Sequence, residues 1–421
     1  MTLSPHETKW DRIRQWQRGE TPGPWAISLY PTYRCNIECK ICWKRAFEEP
    51  LKANEELPDE RMLALVDEAA ELGVREWTLG GGGELMLRRN VVMEVCKRIR
   101  DHGMHGTIQT NGTIFSDKHV EQLIDIQWPS IFVSLDGPTR EINNAIRVEK
   151  NFDMTIDFLE RIQRRKKERG SALPVMNIVT VITNLNYDRM HLFVDLAERL
   201  ELAPGVLTCV DLIVYGENDR KYLLTPEQRR QLPDRMSETI AYANERGVPH
   251  QYHAFLEGLS GEGEHLDALD LFNAPESAPS SKTMCFEPFL HMVIVPEGNT
   301  GPCCTWHDLS SDNIREQSLR DAWTGPYLAR VREQILTGKP PQFCTECMVT
   351  RIQENAHMQQ TFGKLEQAAA GLDRLTLPAA VAKAARSLKN HGVAGSFRRG
   401  REWVQIRNAA RDLARKSNGA G

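Results

Sequence analysis

Short apolar runs alternate with amphipathic stretches along the first half of the chain. The apolar runs are rich in β-branched residues, as in strands, and lie at 25–33, 76–80, 106–111, 130–136, 175–183 and 206–215. Apolar residues at helical spacing predict helices between them, at 57–73, 90–103, 116–126, 153–169 and 187–200. The first helix has clear ends, because Pro58 and Asp59 suit a helix start and Gly73 suits a helix stop.

This alternation predicts an α/β fold with a parallel sheet. The strands are too apolar to have a face in water, so helices should cover them. Six β/α units are fewer than a closed eightfold barrel needs, which favours an open or partial barrel. Ligands of such sheets bind beyond the carboxyl ends of the strands, so the chemistry is expected in the loops that follow them.

The pattern changes after residue 216. A helix is predicted at 225–246, and 257–282 is acidic and rich in Gly, Ser and Pro, as in a loop or lid. A segment with several cysteines follows at 285–347. The predicted domains are an N-terminal extension (1–24), the partial barrel (25–250), an acidic loop or lid (251–284), a cysteine-bearing module (285–360) and a basic helical tail (361–421).

Composition excludes several classes of protein. The 421 residues are 41% hydrophobic, too apolar for low-complexity disorder, and their formal charge of -4 disfavours nucleic-acid binding. The chain lacks an apolar run of transmembrane length, and its first twenty residues are too charged for a signal peptide. We therefore expect a cytoplasmic protein, in which ten cysteines are metal ligands, nucleophiles or core residues rather than disulfides.

Three cysteines follow the first predicted strand. Cys35, Cys39 and Cys42 stand in TYRCNIECKICW, and three thiolates on one loop can bind a soft metal centre. A structural zinc site needs four protein ligands, whereas an iron–sulfur cube held by three cysteines leaves one iron open to another ligand. The alternative is a zinc knuckle completed by a distant residue. Cys96 differs, because it falls on the apolar face of a predicted helix and is interpreted as core.

With this motif, the chain resembles the radical S-adenosylmethionine (SAM) enzymes, a family with a partial (β/α)6 barrel. The resemblance covers about residues 25–216 and includes TNG at 110–112 and SLDGPTREINNAIR at 134–147. It departs at Ile41, where an aromatic residue is usual, and at Leu85, where proline is usual. The residues that the resemblance implies as SAM contacts are Gly82, Gly83 and Glu84 for the methionine amino group, and Ser134, Asp136, Arg147 and Asn184 for the ribose and carboxylate.

A second group of cysteines resembles the SPASM or twitch extension of this family. The resemblance implies one auxiliary 4Fe-4S cluster with Cys285, Cys303, Cys344 and Cys347 as ligands and Cys304 as an alternative ligand. His307 lies nearby and is interpreted as a surface group. A zinc ribbon is the alternative for this module, since four thiolates also suit zinc.

The resemblance implies that the protein cleaves SAM reductively to a 5′-deoxyadenosyl radical, which abstracts hydrogen from a substrate. The cofactors would be SAM, one SAM-binding 4Fe-4S cluster and one auxiliary 4Fe-4S cluster, and a flavodoxin or ferredoxin would supply electrons. A fully ligated auxiliary cluster suits net oxidation, so our leading hypothesis is dehydrogenation of a carbohydrate or cyclitol. The alternatives are modification of a peptide, for which the roughly 24 residues before the barrel are too few to hold a leader-binding domain, and a non-catalytic metal-binding or electron-transfer protein.

The last predicted strand and the residues just after it offer candidates for handling the substrate proton. They are Asp211, Tyr215 and Glu217, each of which also suits a strand-end hydrogen bond. Cys209, in the same strand, is interpreted as core, with hydrogen-atom donation at the barrel mouth as the alternative.

The tail suggests a separate hypothesis. Residues 383–416 carry ten Lys or Arg against two acids, and Trp403, Ile406, Ala410 and Leu413 share one helical face. A basic amphipathic helix can contact an anionic membrane surface. Packing against the cysteine-bearing module is the favoured interpretation.

Overall fold

The computed structural model describes residues 7–46, 55–213, 217–260, 285–304, 306, 308, 310–347, 355 and 358–364. The chain divides into two compact units, Met1–Gln353 and Glu354–Gly421. In the second unit the described residues 358–364 are helical. The predicted basic tail (361–421) is described only over residues 361–364, and the face formed by Trp403, Ile406, Ala410 and Leu413 lies outside the described residues.

An eight-stranded sheet organises the first unit. Its strands are β1 (Ala26–Leu29), β2 (Glu76–Leu79), β3 (His105–Thr110), β4 (Ser130–Ser134), β5 (Val175–Ile182), β6 (Leu207–Asp211), β7 (His291–Ile294) and β8 (Thr300–Gly301). Their order is β6-β5-β4-β3-β2-β1-β7-β8, parallel throughout except for the antiparallel β7 and β8. The six predicted strands are thus confirmed. The cysteine-bearing segment adds β7 beside β1, which the sequence analysis did not predict.

Helices connect the strands as predicted, with additions. They are α1 (Lys9–Gln17), α2 (Asp59–Glu71), α3 (Arg89–Asp101), α4 (Asp117–Asp125), α5 (Arg140–Ile146), α6 (Asn151–Arg169), α7 (His191–Arg199), α8 (Glu217–Arg220), α9 (Pro226–Arg246), α10 (Tyr252–Ser260), α11 (Glu287–Leu290), α12 (Leu319–Thr324) and α13 (Pro326–Leu336). The segment predicted as an N-terminal extension contains α1. The predicted acidic loop or lid begins with α10, and its residues 261–284 lie outside the described residues.

The two faces of the sheet differ in burial. One face carries residues such as Ile27, Trp77 and Ile108, which are at most 1% exposed and pack under the helices. The register aligns Ser28 with Thr78 and Thr78 with Thr107 on the other face, where Thr78, Thr107 and Ser134 are half-buried. We call this second side the half-exposed face.

Candidate active site

The first three cysteines lie on the loop that follows β1, at the carboxyl edge of the sheet. All three are half-buried. The loop is tied to the end of α5, because the Lys40 backbone N–H donates to the Ile146 carbonyl at 2.9 Å and Lys40 Nζ donates to the Ala145 carbonyl at 2.7 Å. The last carbonyls of a helix lack intrahelical partners and favour a cation, so Lys40 fixes the loop against α5.

The three thiols are neighbours within a polar environment. Arg147 Nη1 lies 3.8 Å from Cys39 Sγ, and Asn111 Nδ2 lies 3.9 Å from Cys35 Sγ. Burial raises the pKa of Cys39 to about 11, although the charge of Arg147 lowers it and those of Cys42 and Cys35 raise it further. Burial also raises the pKa of Cys42. A bound metal must therefore displace protons from these thiols.

This donor set fits an iron–sulfur cluster better than a single metal ion. Among the described residues, no three Cys, His, Asp or Glu side chains are placed to hold one metal ion together. In a cluster each thiolate binds a different iron, so neighbouring thiols need not converge on one point. The soft sulfur ligands and their grouping on one anchored loop fit such a cluster.

The glycine turn after β2 packs directly on the segment that precedes Cys35. Gly83 N–H donates to the Thr32 carbonyl at 2.7 Å, and Glu84 N–H donates to the Arg34 carbonyl at 2.9 Å. A Cβ atom at Gly83 would overlap the Arg34 carbonyl group, and one at Gly82 would lie 2.8 Å from the Thr32 oxygen. Glycine is required here for close backbone approach, which explains the turn without reference to a ligand.

Glu84 joins this turn to the TNG loop after β3. Its Oε1 accepts from Thr110 Oγ1 at 2.8 Å and from the Met86 N–H at 3.2 Å, and its Oε2 accepts from the Asn111 N–H at 2.9 Å. The side chain is fully buried, which raises its pKa. Glu84 therefore holds Asn111 beside Cys35. The contact of Gly82, Gly83 and Glu84 with the SAM amino group stays a prediction.

Asp136 and Arg147, two predicted SAM contacts, form a buried ion pair with each other. Arg147 Nε lies 2.8 Å from Asp136 Oδ2, and the Val181 N–H donates to Asp136 Oδ1 at 2.9 Å. The pair links the loop after β4 to Cys39 through Arg147. Contacts of these residues with SAM stay predictions.

The other two predicted SAM contacts lie at neighbouring strand ends. Ser134 ends β4 on the half-exposed face. Asn184, after β5, donates from Nδ2 to the Lys221 carbonyl at 2.9 Å. Both are close to the carboxyl edge, and their roles stay predictions.

The two described candidates for proton handling, Cys209 and Asp211, do not lie on the half-exposed face. Cys209 is buried and Asp211 follows it two positions later in β6, which places both on the helix-covered side of the sheet. Cys209 is 4% exposed, as its interpretation as core requires, and its alternative as a hydrogen donor at the barrel mouth stays a prediction. Tyr215 and the side chain of Glu217 lie outside the described residues. Cys96 is also buried, as predicted.

The second cysteine group lies around β7 and β8. Cys285 precedes α11, Cys303 follows β8, and Cys344 lies in a 3-10 helix that ends just before Cys347. Burial raises the pKa of Cys285 to about 12, and the nearby charges of Glu287, Cys347 and Cys344 add to the increase. Three of the four predicted ligands are therefore neighbours. The choice between Cys303 and Cys304 stays open, and His307 lies outside the described residues.

A buried hydrogen-bond chain that sequence analysis missed connects the two regions. Ser28 Oγ in β1 lies 2.9 Å from His291 Nε2 in β7, and His291 Nδ1 lies 2.9 Å from Glu287 Oε2. Ser28 and His291 are separated by 263 positions, so no local pattern indicates their contact. These hydrogen bonds join the strand that leads to Cys35 with the segment that follows Cys285.

Two family models match the chain in the order predicted. The radical SAM superfamily model matches residues 29–197, and the model of the SPASM iron-sulfur cluster-binding domain matches residues 285–348. The protein is thus a radical SAM enzyme with a SPASM domain. These domains imply three kinds of cofactor. They are SAM, a 4Fe-4S cluster in the radical SAM domain and auxiliary iron–sulfur clusters in the SPASM domain.

Among its curated relatives, the chain is 26% identical to the Fe-coproporphyrin III synthase of Methanosarcina barkeri, over 70% of this chain and 72% of the relative. It is 26% identical to the mycofactocin maturase MftC of Mycobacterium tuberculosis, over 76% of this chain and 74% of the relative. It is 25% identical to the PqqA peptide cyclase of Granulibacter bethesdensis, over 77% of this chain and 79% of the relative.

Solved structures share the fold. SuiB of Streptococcus suis, bound to S-adenosylmethionine, superimposes with a TM-score of 0.57 at 16% identity, over 80% of this chain and 75% of SuiB. The enzyme anSMEcpe with bound AdoMet gives a TM-score of 0.54 at 18% identity, over 78% of this chain and 88% of that one.

Across the described residues, none of the helices has the length and apolar character needed to cross a membrane.

Proposed function

We propose that this radical SAM enzyme modifies a peptide. The observation that carries the proposal is the sequence likeness to a PqqA peptide cyclase and a mycofactocin maturase across about three quarters of each chain. The carbohydrate or cyclitol dehydrogenation that led our sequence analysis gains no support from these relatives. Peptide modification, its alternative, fits them better.

The chain's own residues would serve this reaction by holding a cluster and SAM at the carboxyl edge of the sheet. Cys35, Cys39 and Cys42 would ligate the cluster, and the bound pair would supply a radical that abstracts a hydrogen atom from the peptide. Lys40 anchors the cysteine loop to α5, and Glu84 orients Asn111 toward Cys35. Arg147 would place positive charge beside Cys39, which favours its thiolate.

The half-exposed face supports access of a polar substrate. Thr78, Thr107 and Ser134 are half-buried there, and Gln109 is exposed on β3. Hydroxyl and amide groups can bond a peptide backbone or polar side chains. A peptide segment would therefore approach this side of the sheet, below the cysteine loop.

A second candidate is porphyrin chemistry, because a Fe-coproporphyrin III synthase and an AdoMet-dependent heme synthase are also relatives. The two candidates predict different substrates for the same SAM cleavage. An electron donor such as a flavodoxin or ferredoxin is part of the proposal in either case.

The test is SAM turnover by anaerobically reconstituted protein with dithionite. Three substrate sets would be compared: synthetic peptides translated from short reading frames beside the gene, iron coproporphyrin, and an aminocyclitol. We expect one peptide to increase 5′-deoxyadenosine formation at least tenfold and to change mass. Stimulation by iron coproporphyrin or the aminocyclitol alone would overturn the proposal.

A further inference from the structure

Arg332 is a buried cation between two indole rings. It lies in α13 and is 5% exposed. Its Cζ lies 4.1 Å from the centre of the Trp323 ring and 4.7 Å from that of the Trp16 ring. Burial lowers the pKa of Arg332 to about 9, so the side chain stays charged at neutral pH.

The guanidinium bonds to neutral carbonyl groups. Nε donates to the Pro288 carbonyl at 2.8 Å, and Nη1 donates to the Trp323 carbonyl at 2.9 Å. No carboxylate pairs with it in the part of the chain that the structure describes, and its Nη2 atom has no hydrogen-bond partner there. Other buried arginines differ, since Arg12 pairs with Glu7 and Arg147 pairs with Asp136. The charge of Arg332 is therefore uncompensated by an acidic side chain.

Arg332 is linked to the segment that carries one of the predicted auxiliary ligands. Arg332 contacts Pro288, which follows Cys285 by three residues. The α-carbons of Cys285 and Pro288 are therefore at most about 11 Å apart. Cys344 and Cys347 are neighbours of Cys285. The positive charge is thus hydrogen-bonded to the segment that begins at Cys285, one of three neighbouring predicted ligands.

The N-terminal helix closes the surroundings of Arg332. Trp16 Nε1 donates to the Phe289 carbonyl at 2.9 Å, and the Trp16 and Phe289 rings meet edge to face at 5.6 Å. Trp323 Nε1 donates to the Pro22 carbonyl at 2.7 Å. Both indoles are held by hydrogen bonds and Arg332 is 5% exposed, so solvent screens its charge little.

We propose that Arg332 raises the reduction potential of the auxiliary iron–sulfur cluster through its uncompensated buried charge. Reduction adds negative charge to a thiolate-ligated cluster, and a fixed cation nearby stabilises the reduced form. Net charge and burial around a cluster are known controls of its potential. The proposal rests on the SPASM cofactor and does not depend on which substrate the enzyme modifies.

The experiment measures the midpoint potential of the auxiliary cluster alone. A background with Cys35→Ala, Cys39→Ala and Cys42→Ala removes the other cluster site and leaves the SPASM cysteines intact. Into it are introduced Arg332→Met, which removes the charge, and Arg332→Lys, which keeps it. Arg330→Met is the matched control, because Arg330 lies on the same helix but is exposed. Iron content and an electron paramagnetic resonance redox titration are recorded for each variant.

We expect Arg332→Met to retain the cluster at a lower midpoint potential, with Arg332→Lys and Arg330→Met close to the parent. Loss of iron in Arg332→Met while Arg332→Lys stays loaded overturns the proposal, because the charge would then act on retention of the cluster and not on its potential. An unchanged or higher potential in Arg332→Met overturns the proposal. So does loss of iron in both Arg332 variants, because the residue would then act only as a brace for the Cys285 segment.

Discussion

Arg147 Nε lies 2.8 Å from Asp136 Oδ2, and both side chains are buried beside the cysteine loop. The ion pair sets the position of Arg147 Nη1, which lies 3.8 Å from Cys39 Sγ. Two residues that the family resemblance implies as SAM contacts therefore also organise the first cluster loop.

Asp136→Asn tests this role. Removing one partner of a buried ion pair leaves the other charge uncompensated, so we expect the free energy of unfolding to fall by roughly 3–5 kcal/mol. The iron content of the first site should fall with it, because Arg147 is no longer held beside Cys39. Denaturant unfolding and iron analysis measure the two effects. The control is Asp153→Asn, which breaks the exposed Arg140–Asp153 pair and should leave both quantities unchanged. Equal effects of the two variants would refute the role of Asp136.

Gly83→Ala should separate the glycine turn from the cysteine loop. The added Cβ overlaps the Arg34 carbonyl group, so the hydrogen bonds between residues 32–34 and the turn cannot persist. We expect the free energy of unfolding to fall by about 1–3 kcal/mol. The affinity for SAM should fall by a larger fraction of its wild-type value. Gly363→Ala is the control, since its Cβ meets nothing within 4 Å. Retained SAM affinity in Gly83→Ala would show that the turn does not position the site.

His291→Ala should weaken the connection between β1 and β7. It leaves buried Ser28 Oγ without its partner, at a cost of about 1–3 kcal/mol. SAM cleavage without substrate should stay near the wild-type rate, because the cysteine loop is untouched. The comparison is His102→Ala, whose partner Asp67 is exposed and whose loss should not change the melting temperature. A melting temperature unchanged by His291→Ala contradicts the expectation.

Much of the fold could be predicted from local patterns. The strand runs and the helix at 57–73 depend on periodicity, which local residues determine. The predicted strands are longer than the observed ones where apolar residues continue into a loop, as at Tyr30, whose ring packs against Gly81. Helix α5 was missed because REINNAI is short and polar, and its stability depends on the Thr139 cap and buried Asn143.

The candidate site was likewise only partly predictable from local sequence. Cysteine spacing predicted the first cluster region, because Cys35, Cys39 and Cys42 are close in sequence, and the resemblance to the SPASM extension predicted the second. The Ser28–His291 contact and the Arg332 surroundings join segments hundreds of positions apart, and only the folded chain brings them together. Likewise, no local pattern indicates that Glu84 accepts hydrogen bonds from Thr110 and Asn111 of its own chain.

The two classes of cysteine should respond differently to substitution. Cys39→Ala removes a proposed ligand, so 5′-deoxyadenosine formation should fall at least a hundredfold and one cluster's iron should be lost. Cys96→Ala removes a buried thiol in α3, far along the chain from the cysteine loop. It should lower stability by about 1 kcal/mol and leave iron content unchanged. Chromatographic assay of 5′-deoxyadenosine measures the difference. Full activity of Cys39→Ala would exclude it as a ligand.

The central claim is that Cys35, Cys39 and Cys42 hold a cluster with one iron free for SAM. The most direct measurement uses a variant with Cys285→Ala, Cys344→Ala and Cys347→Ala, which isolates this cluster. Its reduced electron paramagnetic resonance spectrum is recorded with and without SAM. We predict a clear change of the signal when SAM binds. An identical spectrum at saturating SAM, from a sample that holds a full cluster, would contradict the account.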